Sequence, residues 1–121
     1  MRPRVLVIED EPRISSFLVK GLERDGCDVV AAEDGEVGGF LATSERFDAV
    51  VLDIGLPGTS GVDVLTAIRS HDPALPVLVL TGYDEPEMRS RCVAAGATAF
   101  VTKPLVFEQL RATLREQLPR V

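Results

Sequence analysis

Four short apolar runs, each closed by a polar residue, restrict this chain to very few folds. Val5-Leu6-Val7-Ile8 leads into Glu9 and Asp10, and Ala49-Val50-Val51-Leu52 into Asp53. Val77-Leu78-Val79-Leu80 leads into Thr81, and Ala99-Phe100-Val101-Thr102 into Lys103 and Pro104. Runs without polar alternation mark strands buried on both faces, as in parallel sheets. Helical patterns fill the intervals, at a spacing of roughly 20–25 residues that is the rhythm of β-α units. In an open α/β sheet, chemistry gathers just outside the carboxyl ends of the strands. Carboxylates at two such ends, a hydroxyl at a third and an ammonium at a fourth make a site suited to Mg²⁺ and a phosphoryl group.

The pattern predicts a first strand over Arg4 to Glu9 and a helix starting near Pro12, since proline suits a first helical position. Ile14, Phe17, Leu18 and Leu22 fall on one face of that helix, which ends at Asp25-Gly26. A second strand covers Asp28 to Ala32. The helix after it carries Val37, Phe40 and Leu41 as its apolar residues, and the adjacent Gly38 and Gly39 lower its propensity by up to ~1 kcal/mol each, so it is expected to be short and mobile. The third strand runs from Ala49 to Asp53, and a Gly- and Pro-containing loop spans residues 55–61. A helix marked by Val62, Leu65 and Ile68 stops at Ser70-His71-Asp72-Pro73, because proline disfavours helix in the residue before it. The fourth strand is Val77 to Thr81, followed by a helix from Glu85 to Ala95 capped by Gly96. The fifth strand, Ala99 to Thr102, precedes a last helix from Val106 to Leu118 with Phe107, Leu110, Leu114 and Leu118 on its inner face. The pattern reads as one domain over residues 1–121, without repeats or an internal linker.

A net charge of −6 argues against a general nucleic-acid surface and against binding to anionic membranes. Cys27 and Cys92 have no partner at metal-ligand spacing and read as reduced thiols. The first apolar run is too short for a signal-peptide core or a membrane span, so the chain reads as cytoplasmic.

Phosphoryl transfer depends on positioning and charge neutralisation more than on covalent chemistry supplied by the protein. A carboxylate can itself take the phosphoryl group as an aspartyl phosphate, and Asp53, at the mouth of the central strand, is the candidate. An anionic donor beside carboxylates needs a cation, and Mg²⁺ prefers oxygen ligands with retained waters. Asp10, Asp53 and the Gly55 carbonyl are candidate ligands, with Glu9 holding a metal-bound water. Lys103 would pair with one phosphoryl oxygen as a point charge and Thr81 would donate its hydroxyl to another. Each residue alone has a plainer reading. Asp10-Glu11-Pro12 resembles an N-cap, Thr81 a turn residue and Lys103 a solvated charge.

Taken in order, Val7-Ile8-Glu9-Asp10-Glu11, Val51-Leu52-Asp53-Ile54-Gly55-Leu56-Pro57-Gly58, Leu80-Thr81-Gly82, Ala95-Gly96-Ala97 and Phe100-Val101-Thr102-Lys103-Pro104 resemble the receiver domain of bacterial two-component response regulators over essentially the whole chain. The resemblance implies a doubly wound, flavodoxin- or CheY-like three-layer α/β sandwich with a parallel five-stranded sheet in the order 2-1-3-4-5. It implies Asp53 as phosphoacceptor from a sensor histidine kinase, Mg²⁺ held by Asp10, Asp53 and the Gly55 carbonyl with help from Glu9, and Thr81 and Lys103 as the switch hydroxyl and phosphate-binding lysine. Phe100 matches the switch aromatic, with plain core packing as the alternative. The Lys103-Pro104 bond is similar to one usually cis in the family. The same resemblance points to an output face on the fourth helix, fifth strand and fifth helix and to a homodimer through it as one option, the chain being either a stand-alone receiver or part of a transcriptional regulator with a DNA-binding domain beyond it. The domain would be a phosphoacceptor with at most autocatalysed, Mg²⁺-dependent transfer and dephosphorylation.

Several residues depart from that pattern. Thr98 and Ala99 stand where many transcription-factor receivers carry two acids used in dimer salt bridges. Arg89, Arg91, Arg111 and Arg115 remain as candidates for a partner face. Gly55 and Gly82 leave little side chain near the phosphate position, so the site is expected to admit water and small phosphodonors. Tyr83 follows the site loop and reads equally as a partner contact or a packed residue. His71, at a helix end, is a poor phospho-relay residue. An aspartyl-nucleophile phosphatase would need a second acid where Asp53-Ile54-Gly55 has none. A flavodoxin-like carrier would need a phosphate loop after the first strand, where acids stand instead. A phosphorylation-independent interaction module would have no use for the acidic set, Thr81 and Lys103.

Overall fold

The middle of the sheet is apolar on both faces, and that dictates the layering. The computed structural model describes residues 2–56, 60–82, 86–103 and 107–118. Its strands are β1 (Arg4–Ile8), β2 (Asp28–Ala32), β3 (Ala49–Asp53), β4 (Val77–Thr81) and β5 (Ala99–Thr102). They form one five-stranded parallel sheet in the order β2-β1-β3-β4-β5, as the sequence predicts. Every residue of β3 and β4 is buried, whereas β2 and β5, at the edges, are partly exposed.

The helices are α1 (Pro12–Arg24), α2 (Gly35–Ser44), α3 (Gly61–His71), α4 (Pro86–Ala95) and α5 (Phe107–Gln117). Because successive strand residues point to opposite faces, Val5, Val7, Val51, Leu78, Leu80 and Val101 pack on one side with Leu18 and Leu22 of α1 and Leu110 and Leu114 of α5. Leu6, Ile8, Val50, Leu52, Val77 and Val79 pack on the other with Ala42 of α2, Leu65 and Ile68 of α3 and Cys92 of α4. Pro12 sits in the first turn of α1, and α3 stops at His71 with Asp72 extended before Pro73. Gly26 and Gly96 end α1 and α4 with positive φ (91° and 101°), the left-handed turn glycine adopts without strain.

Three expectations are corrected. Strand β1 ends at Ile8 rather than Glu9, although the Glu9 N–H still donates to Ala32 O at 3.1 Å. Of the three apolar residues its sequence offers, helix α2 packs only Leu41 against the core. Phe40 is 67% exposed and Val37 half exposed, while Gly35, Gly38 and Ala42 face inward. A Cβ on Gly38 would lie 2.6 Å from Ile8 Cδ1, so α2 docks through small residues that let its backbone approach the sheet. Asp34 caps this helix by accepting from Val37 N at 2.8 Å. Phe17 of α1 is half exposed and meets the Phe107 ring edge-on at 5.8 Å instead of filling the core. Pro57-Gly58-Thr59, Tyr83, Glu85 and Pro104, with its peptide bond to Lys103, lie outside the described residues, as does Val106.

Gly61 opens α3 against backbone. A Cβ there would come within 2.8 Å of Ile54 Cα and O. We expect Gly61→Ala to cost roughly 2 kcal/mol or more in urea unfolding, because neither partner atom can rotate away. A loss below about 0.5 kcal/mol would contradict this packing.

Candidate phosphoacceptor site

Strands β1 and β3 are neighbours, yet their following helices pack on opposite sides of the sheet, so their carboxyl ends face a crevice at the topological switch point. Glu9 and Asp10 follow β1 and Asp53 closes β3, and together they form a group whose carboxylate oxygens lie within 4.8 Å of one another. Glu9 and Asp53 are buried, and Asp10 is exposed. The N-cap position of α1 belongs to Glu11, which makes no side-chain capping bond, so the N-cap reading of Asp10 is not realised.

Asp53 Oδ1 accepts the Gly55 N–H at 3.0 Å and carries the Lys103 Nζ at 3.0 Å. Lys103 arrives there because β5 pairs with β4 through Thr81 and Thr102, and because the Lys103 N–H donates to Thr81 O at 2.7 Å. Thr81 is buried at the end of β4, one residue beyond Leu80, the partner of Asp53 across the ladder. The carboxylates of Asp10 and Asp53 and the Lys103 ammonium therefore come together, while the Thr81 hydroxyl, at the end of the next strand, donates to Gly82 O at 3.4 Å.

The charges are unevenly supported. Glu9 Oε2 accepts the Glu11 N–H at 3.3 Å, but Glu9 Oε1 is buried without a hydrogen-bond partner. Burial, then a hydrogen bond with Asp53 and that residue's negative charge, push the Glu9 carboxyl up to about 8. Burial also opposes ionisation of Asp53, yet hydrogen bonds from Glu9, the Gly55 N–H and Lys103 outweigh it and hold Asp53 below its ordinary value. Burial thus opposes a second negative charge on the pair, and the surrounding donors favour the first one on Asp53. A buried, unpartnered carboxylate oxygen beside two further carboxylates is the donor set that suits a hard divalent cation.

Phe100 is half-buried on the α3 and α4 side of the sheet, and the Arg89 guanidinium of α4 lies over its ring, 4.9 Å from the centroid. Neither plain core packing nor a free aromatic describes it. Arg111 faces the other side, bonded to Asp25 at 2.7 Å and Glu108 at 2.8 Å, so it is not free for a partner face. Cys27 is a buried free thiol, Cys92 is buried on α4, and His71 is exposed at the end of α3. The carboxylate is less open than Gly55 and Gly82 suggest, since Asp53 is only 3% exposed.

One tie had no signal in the sequence. Arg69 of α3 donates to the carbonyls of Leu75 at 2.6 Å, Asp72 at 3.1 Å and Gly96 at 2.8 Å, and to Thr98 Oγ1 at 3.3 Å. Thr98 Oγ1 also accepts the Val77 N–H at 3.0 Å. The residue standing where an acid was missing thus joins β4, α3 and the turn before β5.

Residues 5–115 match the family model described as the response regulator receiver domain. A curated relative from Mycobacterium tuberculosis, "Probable transcriptional regulatory protein TcrX", is 41% identical over 116 residues, covering 96% of this chain and 50% of the relative. The chain spans about half the length of such curated relatives. Among solved structures, chemotaxis protein CheY4 of Vibrio cholerae superposes with a TM-score of 0.90 at 31% identity, covering 98% of this chain and 100% of that one. The receiver domain of sensor histidine kinase PA1611 from Pseudomonas aeruginosa, solved with a magnesium ion in its active-site cleft, gives 0.88 at 25% identity, covering 97% and 98%.

Proposed function

The chain belongs to the response regulator receiver family of two-component systems, and from that premise we propose that it accepts a phosphoryl group on Asp53 from a sensor histidine kinase. The observation that carries this reading is the buried Asp53 carboxylate, held ionised beside Lys103 Nζ and next to a Glu9 oxygen that nothing in the described residues satisfies. Asp10, Asp53 and the Gly55 carbonyl would hold Mg²⁺, with Glu9 acting through a bound water. Bound there, the ion supplies the positive charge that offsets repulsion between an incoming phosphoryl group and the carboxylates. The protein's own groups do the rest. The Gly55 N–H and Lys103 orient the Asp53 oxygens, Lys103 then shifts its charge to a phosphoryl oxygen, and the Thr81 hydroxyl donates to another.

Phosphorylation becomes signalling by population shift. The new oxygens favour a state in which Thr81 and Lys103 have turned toward them, with Phe100 following inward, and exchanging dominance between states takes ~5.5 kcal/mol for a swing from 1:99 to 99:1. Inward movement of Phe100 must break its contact with Arg89, so α4 and β5 are where the change would be felt, and a homodimer would form there through α4, β5 and α5. We place residues 1–121 in one receiver domain, in the cytoplasm, governing transcription through an attached DNA-binding domain. The domain itself binds neither nucleic acid nor membrane. No helix among the described residues is long and apolar enough to cross a membrane.

Incubation with acetyl phosphate and Mg²⁺ is expected to add one phosphoryl group by intact mass, lost on treatment with hydroxylamine as an acyl phosphate must be, and absent when EDTA is present. No gain in mass, or a gain resistant to hydroxylamine, would overturn the proposal.

A further inference from the structure

The outer side of α2 carries a pairing pattern that the rest of the chain does not use. Phe40, at 67% exposure, is the most exposed large apolar side chain among the described residues, and Val37 beside it is 47% exposed. Gly39 is the second part of the pattern. Its φ is not positive, and a Cβ built on it meets nothing within 4 Å. Gly38, next to it, is required by the close approach of Ile8, but Gly39 has no such neighbour. Glycine weakens a helix interior relative to alanine, so a glycine there without a contact inside the chain points to one outside it.

Glu36, Gly39, Phe40 and Thr43 stand at i, i+3, i+4 and i+7, the four corners of a hole that receives a knob from a facing helix. Gly39 leaves one corner of that hole open, and Phe40 is itself a bulky knob. A patch with both knob and hole is complementary to itself across a two-fold axis, the isologous arrangement of a C2 dimer. The charges agree. An antiparallel copy aligned on Phe40 brings Arg46, just past the end of one α2, beside Glu33 and Asp34 at the start of the other, twice over. All three residues are exposed, and none is in an ion pair among the described salt bridges. A parallel copy would instead set Glu33 and Asp34 against their own counterparts.

We infer that the outer face of α2 pairs antiparallel with the same face of a second copy of this chain, Phe40 of each entering the gap at Gly39 of the other. Helix α2 lies against β1 and the edge strand β2, whereas β5 forms the opposite edge of the sheet, so this face is separate from the α4, β5 and α5 face. The pairing needs no phosphoryl group and does not rest on the reading of Asp53 as acceptor.

Sedimentation equilibrium of the unphosphorylated protein, with EDTA and no phosphodonor, tests this between about 10 μM and about 1 mM, the range suited to a small interface. The average mass is expected to climb toward that of two chains. Phe40→Ser removes the knob and Gly39→Leu fills the hole, and each is expected to weaken the dimer on the order of tenfold or more. Gly39→Leu separates pairing from folding. Its side chain enters open space and a better helix former replaces glycine, so the dilute variant is expected to melt at or above the native temperature. Arg46→Glu is expected to weaken the dimer, and Glu33→Arg combined with it to recover part of the loss. A native chain that stays monomeric to the top of that range, or a dimer that either Phe40→Ser or Gly39→Leu leaves unchanged, would overturn the inference.

Discussion

Asp53→Asn abolishes acyl-phosphate formation while leaving the fold intact. The amide keeps the shape of the carboxyl and can still accept the Gly55 N–H, but it has no charge for Lys103 and is not a nucleophile toward phosphorus. No other acid in the group is equivalent. Burial opposes ionisation of Glu9, and Asp10 lies exposed, with no ammonium paired to it among the described salt bridges. A carboxylate that must attack has to be ionised and aimed, and only Asp53 has both a cationic partner at 3.0 Å and a backbone donor at 3.0 Å on the same oxygen. Labelling by acetyl phosphate with Mg²⁺ is expected to fall below detection in Asp53→Asn, while thermal melting stays within a few degrees. Residual labelling at even a tenth of the native level would mean that a second acid accepts.

Glu9→Gln has the second-largest effect, and it runs toward stability. The Glu9 carboxyl titrates near 8 in the folded protein against an ordinary 4.5. A folded-state pKa above the unfolded one means that the folded chain holds a proton the unfolded chain releases. The resulting stability is present in full below about pH 4.5 and is lost progressively as pH rises through 8. Asp53 works in the opposite sense at the acid end. Its carboxylate is held below the ordinary value, so its contribution is present above pH 4 or so and disappears as the solution is acidified. Glutamine at position 9 supplies permanently the neutral donor that protonated Glu9 supplies only at low pH. With EDTA present at pH 8.5, we expect Glu9→Gln to exceed the native protein by about 3 kcal/mol, or on the order of 10 °C in melting temperature. The gap should close near pH 5. Adding Mg²⁺ should narrow it as well, because a ligand that binds only the folded state stabilises it by mass action and the native acid set binds more strongly. Equal stabilities at pH 8.5, or a gap that does not change between pH 5 and 8.5, would contradict the burial of a second charge at this site.

The site was legible in the sequence because parallel strands announce their own ends. Val50, Val51 and Leu52 are buried on alternating faces, so the first residue after the run that tolerates water marks the rim where ligands bind. Asp53, Thr81 and Lys103 could be assigned to one crevice on that basis. The helices were less legible where size rather than hydrophobicity decides packing. In α2 the conspicuous Val37 and Phe40 point outward, and Gly35, Gly38 and Ala42, at helical spacing but without bulk, make the contact. Gly38, read as weakening that helix, is what allows it to dock. Polar ties such as Arg69 to four acceptors could not be foreseen either, since a lone arginine in an amphipathic helix looks like any solvated charge and three of its four partners are backbone carbonyls, which every residue carries. The half-buried state of Phe100 under Arg89 is of the same kind. It depends on where α4 lies against β5, which no local pattern encodes.

The central claim is that residue 53 carries the phosphoryl group, and borohydride trapping reads that residue directly. An acyl phosphate on aspartate is reduced to homoserine, which peptide mass spectrometry can locate in the chain. After acetyl phosphate and Mg²⁺ treatment followed by reduction, homoserine is expected at position 53 and nowhere else. Homoserine at position 10, or an equivalent reduced glutamate at position 9, in place of one at 53 would contradict the assignment of Asp53 as acceptor. A labelled protein with no reduced residue would contradict an acyl phosphate altogether.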